Sequence, residues 1–327
     1  MWPFGKKMKD ESLKVECLPT KVEIVDCCCV KEAKIVHIQG KGALKERAAY
    51  SSRDDDIGYC SRISLYGVPL AQYNGYVCPT CVGWLATGYG RETVTCEEVR
   101  QYSKYAEKPF ENLESSIEGL NPILKLLESG LYAIGYGECF PTDGEENFFW
   151  NVSNELERKQ GTAILPTDYG QYINGEPSYL YPTQGAKCYN PERVQYYKEM
   201  FQKTGKLPPI LVYNFQSCLN IVLDGHHRAC AAALLGIPVP CIMIFPWGYS
   251  CTVKNGKREK RKLIFSGIEV DVGEIPKEYQ PTDKTTLPEG TIKNGAGRLS
   301  TRQWEPEYLG SVKKYPTLQE YVNLKGA

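Results

Sequence analysis

VLDGHHRACAAALLG, residues 222–236, places two of the chain's three histidines side by side, after an Asp-Gly and before an arginine. The apolar run into Leu223 predicts a strand, and the alanine-rich run to Leu235 predicts a short helix that Gly236 closes. A strand that turns directly into a helix leaves the first peptide N–H groups of that helix without internal partners, at the positive end of its dipole. That end suits an anion, and phosphate is the usual one. Gly225 lets backbone come close to a ligand, and His226, His227 and Arg228 can add donors. The planar fork of Arg228 can give two parallel hydrogen bonds to one phosphate. Asp224 has the wrong sign to hold phosphate, but it can hold Mg²⁺ or take a proton from an attacking hydroxyl. The competing reading is structural: Asp224 is a plain helix cap and the histidines face solvent. A metal site built from adjacent histidines is disfavoured, because neighbouring side chains on a helix diverge.

The pattern around this corner is regular. Asn190 predicts a helix cap, with Pro191 at the first helical position, Val194, Tyr197 and Phe201 on one face and Gly205 as the stop. PPILVY and LNIVL predict two strands around NFQSC, and IPVPCIMIF predicts a third after the corner. A short strand is expected in GTAIL from Gly161. Glu192 and Thr183 lie close enough in sequence to be substrate or supporting groups, although a carboxylate complementing the helix dipole is the plainer role for Glu192.

From about Ala163 to Ile244 the chain resembles the ParB/sulfiredoxin superfamily. The resemblance rests on the helix NPERVQYYKEMFQKTGKLPP, the strands ILVY and NIVLDG, the corner GHHR, the helix ACAAALLG and the strand VPCIMI. It implies a nucleotide whose phosphates lie at Gly225, His226, His227 and Arg228. Sulfiredoxins carry their reacting cysteine where this chain has His226, so sulfinic-acid reduction is not implied. Partition proteins of the family use a Gly-Glu-Arg-Arg type of corner followed by a helix-turn-helix domain, whereas here a basic hairpin follows Phe245. Small-molecule kinases of the superfamily, free-serine kinases among them, use an acidic side chain near the corner, where Asp224 stands. The resemblance therefore implies an ATP- or CTP-using enzyme with Mg²⁺, performing phosphoryl transfer or hydrolysis, with Asp224 and His227 as catalytic groups and a small-molecule or protein acceptor.

At 327 residues more than one unit is expected. We read an α+β protein in three parts: a cysteine-containing N-terminal region (1–155), a ParB/sulfiredoxin-like domain (156–246) and a β-rich C-terminal extension (247–327). Thirty-nine basic residues balance thirty-nine acidic ones, so no global field draws the protein to nucleic acid or to an anionic membrane. The start MWPFGKKMKDES lacks an apolar core of signal-peptide length, and no apolar run is long enough to span a bilayer, so a cytoplasmic protein is expected.

Within the first part, KVEIVDCCCV and AKIVHI predict a hairpin or two edge strands. T-C-E-E at Thr95–Glu98 predicts a capping box, Asn112 to Ser129 a helix that Pro122 kinks or divides, and residues 135–150 a loop. Fourteen cysteines in a long chain without an export signal are read as reduced, with Cys218, Cys230 and Cys241 filling apolar core. Cys78-Pro-Thr-Cys81 has the spacing of half a zinc site, for which Cys60 and Cys96 are the nearest further ligands. A thiol-redox pair is the alternative, strengthened if VGWLA forms a helix after it. The run KNGKREKRK, Lys254 to Lys262, can touch nucleic-acid phosphates, but the favoured reading is a solvated hairpin tip around Asn255-Gly256.

Overall fold

The computed structural model describes residues 13–25, 29–51, 58–76, 82–88, 90–139, 141, 165–168, 180–185, 188–215, 219–246, 249–255, 258–280 and 303–304. The strands are β1 (Lys14–Cys17), β2 (Glu23–Ile24), β3 (Val30–Gln39), β4 (Leu44–Ser51), β5 (Gly58–Leu65), β6 (Val68–Tyr76), β7 (Val82–Ala86), β8 (Gly130–Cys139), β9 (Leu165–Asp168), β10 (Leu180–Pro182), β11 (Ile210–Phe215), β12 (Leu219–Asp224), β13 (Val239–Pro246), β14 (Tyr249–Asn255), β15 (Arg258–Phe265), β16 (Ile268–Asp271) and β17 (Gln303–Trp304). The helices are α1 (Glu97–Tyr105), α2 (Leu113–Leu124), α3 (Pro191–Thr204) and α4 (His226–Leu235).

A seven-stranded sheet, in the order β1-β3-β8-β13-β11-β12-β10, forms the centre of this α+β fold. β10 runs parallel to β12 and β11 parallel to β13, while the other neighbours are antiparallel. Along β11 the side chains alternate between two cores, and this is why PPILVY reads as an unbroken apolar run. Leu211, Tyr213 and Phe215 face α1, α2 and residues of β4–β6, among them Leu113, Ile117, Leu44, Ile63 and Leu70. Ile210 and Val212 face α3, α4 and the β15–β16 hairpin, through Val194, Tyr197, Ala229, Leu263 and Phe265. Each large aliphatic side chain removed from water contributes about 1.5–3 kcal/mol, so a sheet covered on both faces concentrates the stability in these strands. Cys230 and Cys241 are fully buried in the second core, as their apolar surroundings predict.

The central sheet runs through the boundary expected between residues 155 and 156: β1, β3 and β8 come from before it, and β10 to β13 from after it. Likewise β2 completes the C-terminal sheet β14-β15-β16-β2. A third sheet has the order β17-β4-β5-β6-β7-β9.

Several expectations give way. Residues 135–139 are not a loop but the end of β8, next to β13 in the middle of the sheet. The glycines that mimic loop signals are there because a Cβ at Gly137 would stand 1.6 Å from the Cys29 carbonyl oxygen. β3 continues through Lys31-Glu32, with a bulge at Lys31 in its pairing with β8, and lies between β1 and β8, so AKIVHI is neither an edge strand nor half of a local hairpin. The stretch that starts at Gly58, rich in glycine and tyrosine, supplies β5, β6 and β7. Thr95 does not cap α1: the N-cap is Cys96, without a side-chain hydrogen bond. Pro122 does not divide α2 but sits in its last turn, and the helix ends two residues later at Leu124.

Two hairpins turn on two residues each, Tyr66-Gly67 (φ 51° and 78°) and Ser266-Gly267 (φ 51° and 88°). Positive φ at both positions matches the twist of the flanking strands. The basic hairpin forms as an antiparallel pair with Asn255 opposite Arg258, its connecting residues lying outside the described ones.

Candidate functional site

The local signals around α3 and α4 are realised closely. Asn190 Oδ1 accepts from the Arg193 N–H at 3.0 Å, Pro191 opens α3, and Gly205 closes it in the left-handed region at φ 68°. β12 enters the corner through a bulge: Val222 pairs with Val212 and Asp224 with Leu211, leaving Leu223 as the extra residue. The Leu223 carbonyl accepts from Arg91 Nε at 3.0 Å.

At the corner the N-cap of α4 is Gly225, at φ 97° and ψ 22°, with no side-chain cap and no acidic residue in the first turn. Asp224 is therefore not a cap. Its carboxylate instead accepts from Arg228 Nη2 at 2.6 Å. Gly225 serves the interior as well as the turn, because a Cβ there would stand 2.6 Å from Ile210 Cγ2 and 3.0 Å from Arg228 Nη2.

Arg228 points inward and is 2 % exposed. Its Nη1 donates to the Pro209 carbonyl at 2.8 Å and to the carbonyl of Ala106, the C-cap of α1. The guanidinium thus joins α1, the entry to β11 and the end of β12. Its Nε is buried and has no partner among the described residues. The free fork expected from the sequence is, in this structure, occupied at both terminal nitrogens.

His226 is also turned inward. Its Nε2 accepts the Thr183 N–H at 2.9 Å, while Thr183 Oγ1 donates to the Val222 carbonyl at 2.6 Å. Burial, with Arg91, His227 and Arg228 adding to it, holds the His226 pKa well below its ordinary value, so the ring is neutral. Its position tethers the end of β10 to α4 and does not face solvent. His227 is half-buried, with Nε2 3.1 Å from both the Asn190 N–H and the Cys188 carbonyl. Burial first, then the Arg193 charge, lowers its pKa. Of the two histidines, His227 lies nearer the surface and fastens the first turn of α4 to the start of α3.

The sequence reading passed over Arg193. In the first turn of α3 it is 57 % exposed, with Nη2 3.4 Å from both Glu107 Oε1 and Tyr197 Oη. Its charge acts on His227, and Asp224 is among the groups that raise its own pKa, after the Tyr197 hydrogen bond, burial working against it. The available signal was its place three residues after the Asn190 cap, on the same helix end that His227 touches. Glu192 is exposed in that first turn, the position of a carboxylate complementing the dipole.

A cavity of about 20 Å³ lies beside Asp224, lined by Arg91, Tyr102 and apolar side chains including Leu44 and Leu223. It has room for one water.

Most of the zinc candidates fall beyond what the structure describes. Cys78 and Cys81 lie outside the described residues, as does the side chain of Cys60 on β5. Cys96 sits before α1 with its thiol pKa raised chiefly by burial. Among the described residues no group of three His, Cys, Asp or Glu side chains is arranged to hold a metal. VGWLA is the strand β7 and not a helix, so the helix-end activation that would strengthen a redox pair there is missing. No helix among the described residues is long and apolar enough to cross a membrane.

Comparison with protein-family models, with curated proteins and with solved structures gives no match.

Proposed function

We propose that the protein binds a nucleotide, ATP or CTP, by its phosphates at the amino end of α4, and transfers or hydrolyses a phosphoryl group there. One observation carries this reading: the N-cap of α4 is Gly225, which has no side chain to cap with, and the aspartate before it gives its carboxylate to Arg228. An uncapped helix end with no acid in its first turn is a natural seat for phosphate. Arg193 stands at its flank as an exposed positive group, and His227 joins the two helix ends.

Gly225 and His226 act in this scheme by shaping the corner, and Arg228 by holding Asp224. Mg²⁺ would be held by Asp224 and phosphate oxygens, since Mg²⁺ commonly takes one or two carboxylates, phosphates and waters without a protein cage. Asp224 would orient the metal or accept the proton of an attacking hydroxyl, on a small-molecule or protein acceptor, with catalysis resting on positioning and charge stabilisation.

The test is thermal unfolding with a panel of nucleoside triphosphates, with and without Mg²⁺, followed by product analysis on each hit. Ligand at a hundred times its Kd stabilises by about 2.7 kcal/mol, which shows as a clear rise in Tm. No rise across the panel overturns the reading.

A second reading is a regulatory or nucleic-acid-associated binding protein in which the corner has become structural. What favours it is that both terminal nitrogens of Arg228 are bound to protein acceptors. DNA affinity that falls steeply with salt would support it. A structural zinc on Cys60, Cys78, Cys81 and Cys96, or a thiol pair at Cys78 and Cys81, rests on the C-x-x-C spacing; metal analysis of the purified protein separates the two.

A further inference from the structure

We propose that the Asp224–Arg228 ion pair is the resting position of a two-position switch, in which an incoming phosphate takes the Nε and Nη2 edge of Arg228 and frees the Asp224 carboxylate for metal or acceptor. This rests on the nucleotide reading above and adds a mode of regulation to the same site.

The argument starts from how unequally the guanidinium is satisfied. Nη1 is fixed by two carbonyls, those of Ala106 and Pro209. Nη2 donates to Asp224 Oδ2 at 2.6 Å, and Nε, on the same side of the fork, has no partner among the described residues. An aspartate reaching only one nitrogen leaves half of a bidentate edge unused, and a buried donor without an acceptor is destabilising. A phosphate presents enough oxygens to take both positions at once. The guanidinium itself need not travel, because its Nη1 anchors orient the plane beforehand. What must move is Asp224, whose side chain is 26 % exposed and so has a path to water, while that of Arg228 is 2 % exposed. Gly225 lets Arg228 Nη2 lie close against the backbone of the corner, since a Cβ there would stand 3.0 Å from that nitrogen. While paired with Arg228 the carboxylate is held away from metal or hydroxyl; when phosphate arrives, the same exchange seats the ligand and delivers the carboxylate.

Asp224→Asn separates this from a role for Asp224 as a metal ligand alone. With EDTA present, a neutral amide competes less for Arg228 and no longer repels phosphate. The switch therefore predicts that ATP, CTP or inorganic pyrophosphate binds the variant more tightly, on the order of tenfold, while turnover with Mg²⁺ is lost. Equal or weaker metal-free binding than the parent overturns the switch and leaves the nucleotide reading standing. If neither protein binds any of the three probes, the nucleotide reading falls and takes the switch with it. A measurement on the unaltered chain covers a poorly folded variant: in ¹⁵N-arginine-labelled protein, the Arg228 Nε–H resonance, assigned by its loss in Arg228→Lys, shifts on adding pyrophosphate. A resonance that stays in place while pyrophosphate binds overturns the exchange.

Discussion

Two helices begin within reach of each other, and their amino ends are built on opposite plans. α3 is closed by its own sequence: Asn190 accepts the Arg193 N–H, Pro191 needs no N–H partner, and exposed Glu192 complements the dipole. α4 begins on a left-handed glycine with no side-chain cap, and the aspartate before it is bound to an arginine one turn further on. Arginine shows the same contrast, Arg193 being 57 % exposed on α3 and Arg228 2 % exposed on α4. A helix end that satisfies itself is stable wherever it lies. One that leaves its donors open while the neighbouring charges neutralise each other keeps those donors for something else, and this difference underlies the proposed site.

The comparison can be broken most forcefully at Arg228. Arg228→Met leaves the Ala106 and Pro209 carbonyls without that donor and Asp224 without its partner, so urea unfolding should show a loss of about 3–5 kcal/mol. Arg193→Met, an exposed change, should stay within about 0.5 kcal/mol. Equal effects at the two sites would remove the contrast.

Next in size is a pH effect. The pKa values of His226, His227 and His37 are all lowered, with burial the first cause in each. The unfolded chain therefore takes up protons near pH 6.5 before the folded one does. The stability these groups contribute is present above that pH and is lost as pH falls below it, at up to about 1.4 kcal/mol per pH unit for each histidine. Urea unfolding at pH 7.5, 6.5 and 5.5 should show the decline. His226→Gln should flatten it more than a change at half-buried His227.

The smallest effect sharpens the comparison from the α3 side. Asn190→Ala should cost about 1 kcal/mol through loss of a side-chain cap, whereas α4 has no such cap to lose. Nucleotide affinity should be nearly unchanged in this variant if phosphate sits on α4.

Legibility in the sequence followed how local the signals were. The cap, proline and glycine of α3, the runs of β11 to β13 and the Gly236 stop all act within a turn or a strand, and each was readable. β8 was not, because Gly135 and Gly137 look like loop residues until Cys29 and Phe245 are seen beside them. β5 to β7 were hidden in the same way by glycines and tyrosines that say little about long-range pairing. At the candidate site the residue types and their order were legible, and so was the chance of an anion at the α4 end. That Asp224 would decline to cap, that Arg228 would turn inward and that Arg193 would stand outside were not. Those outcomes depend on Ala106, Pro209, Glu107 and Tyr197, which lie from 4 to more than 100 residues away from the arginines they meet.

By itself the sequence determined which segments become helix or strand around the corner, since hydrophobic period, caps and left-handed glycines are properties of a few consecutive residues. Only the tertiary structure decided where each charge points. A buried guanidinium goes to whichever carbonyls and carboxylates the packed elements leave within 3 Å, and that set exists only once α1, β11 and β12 have met.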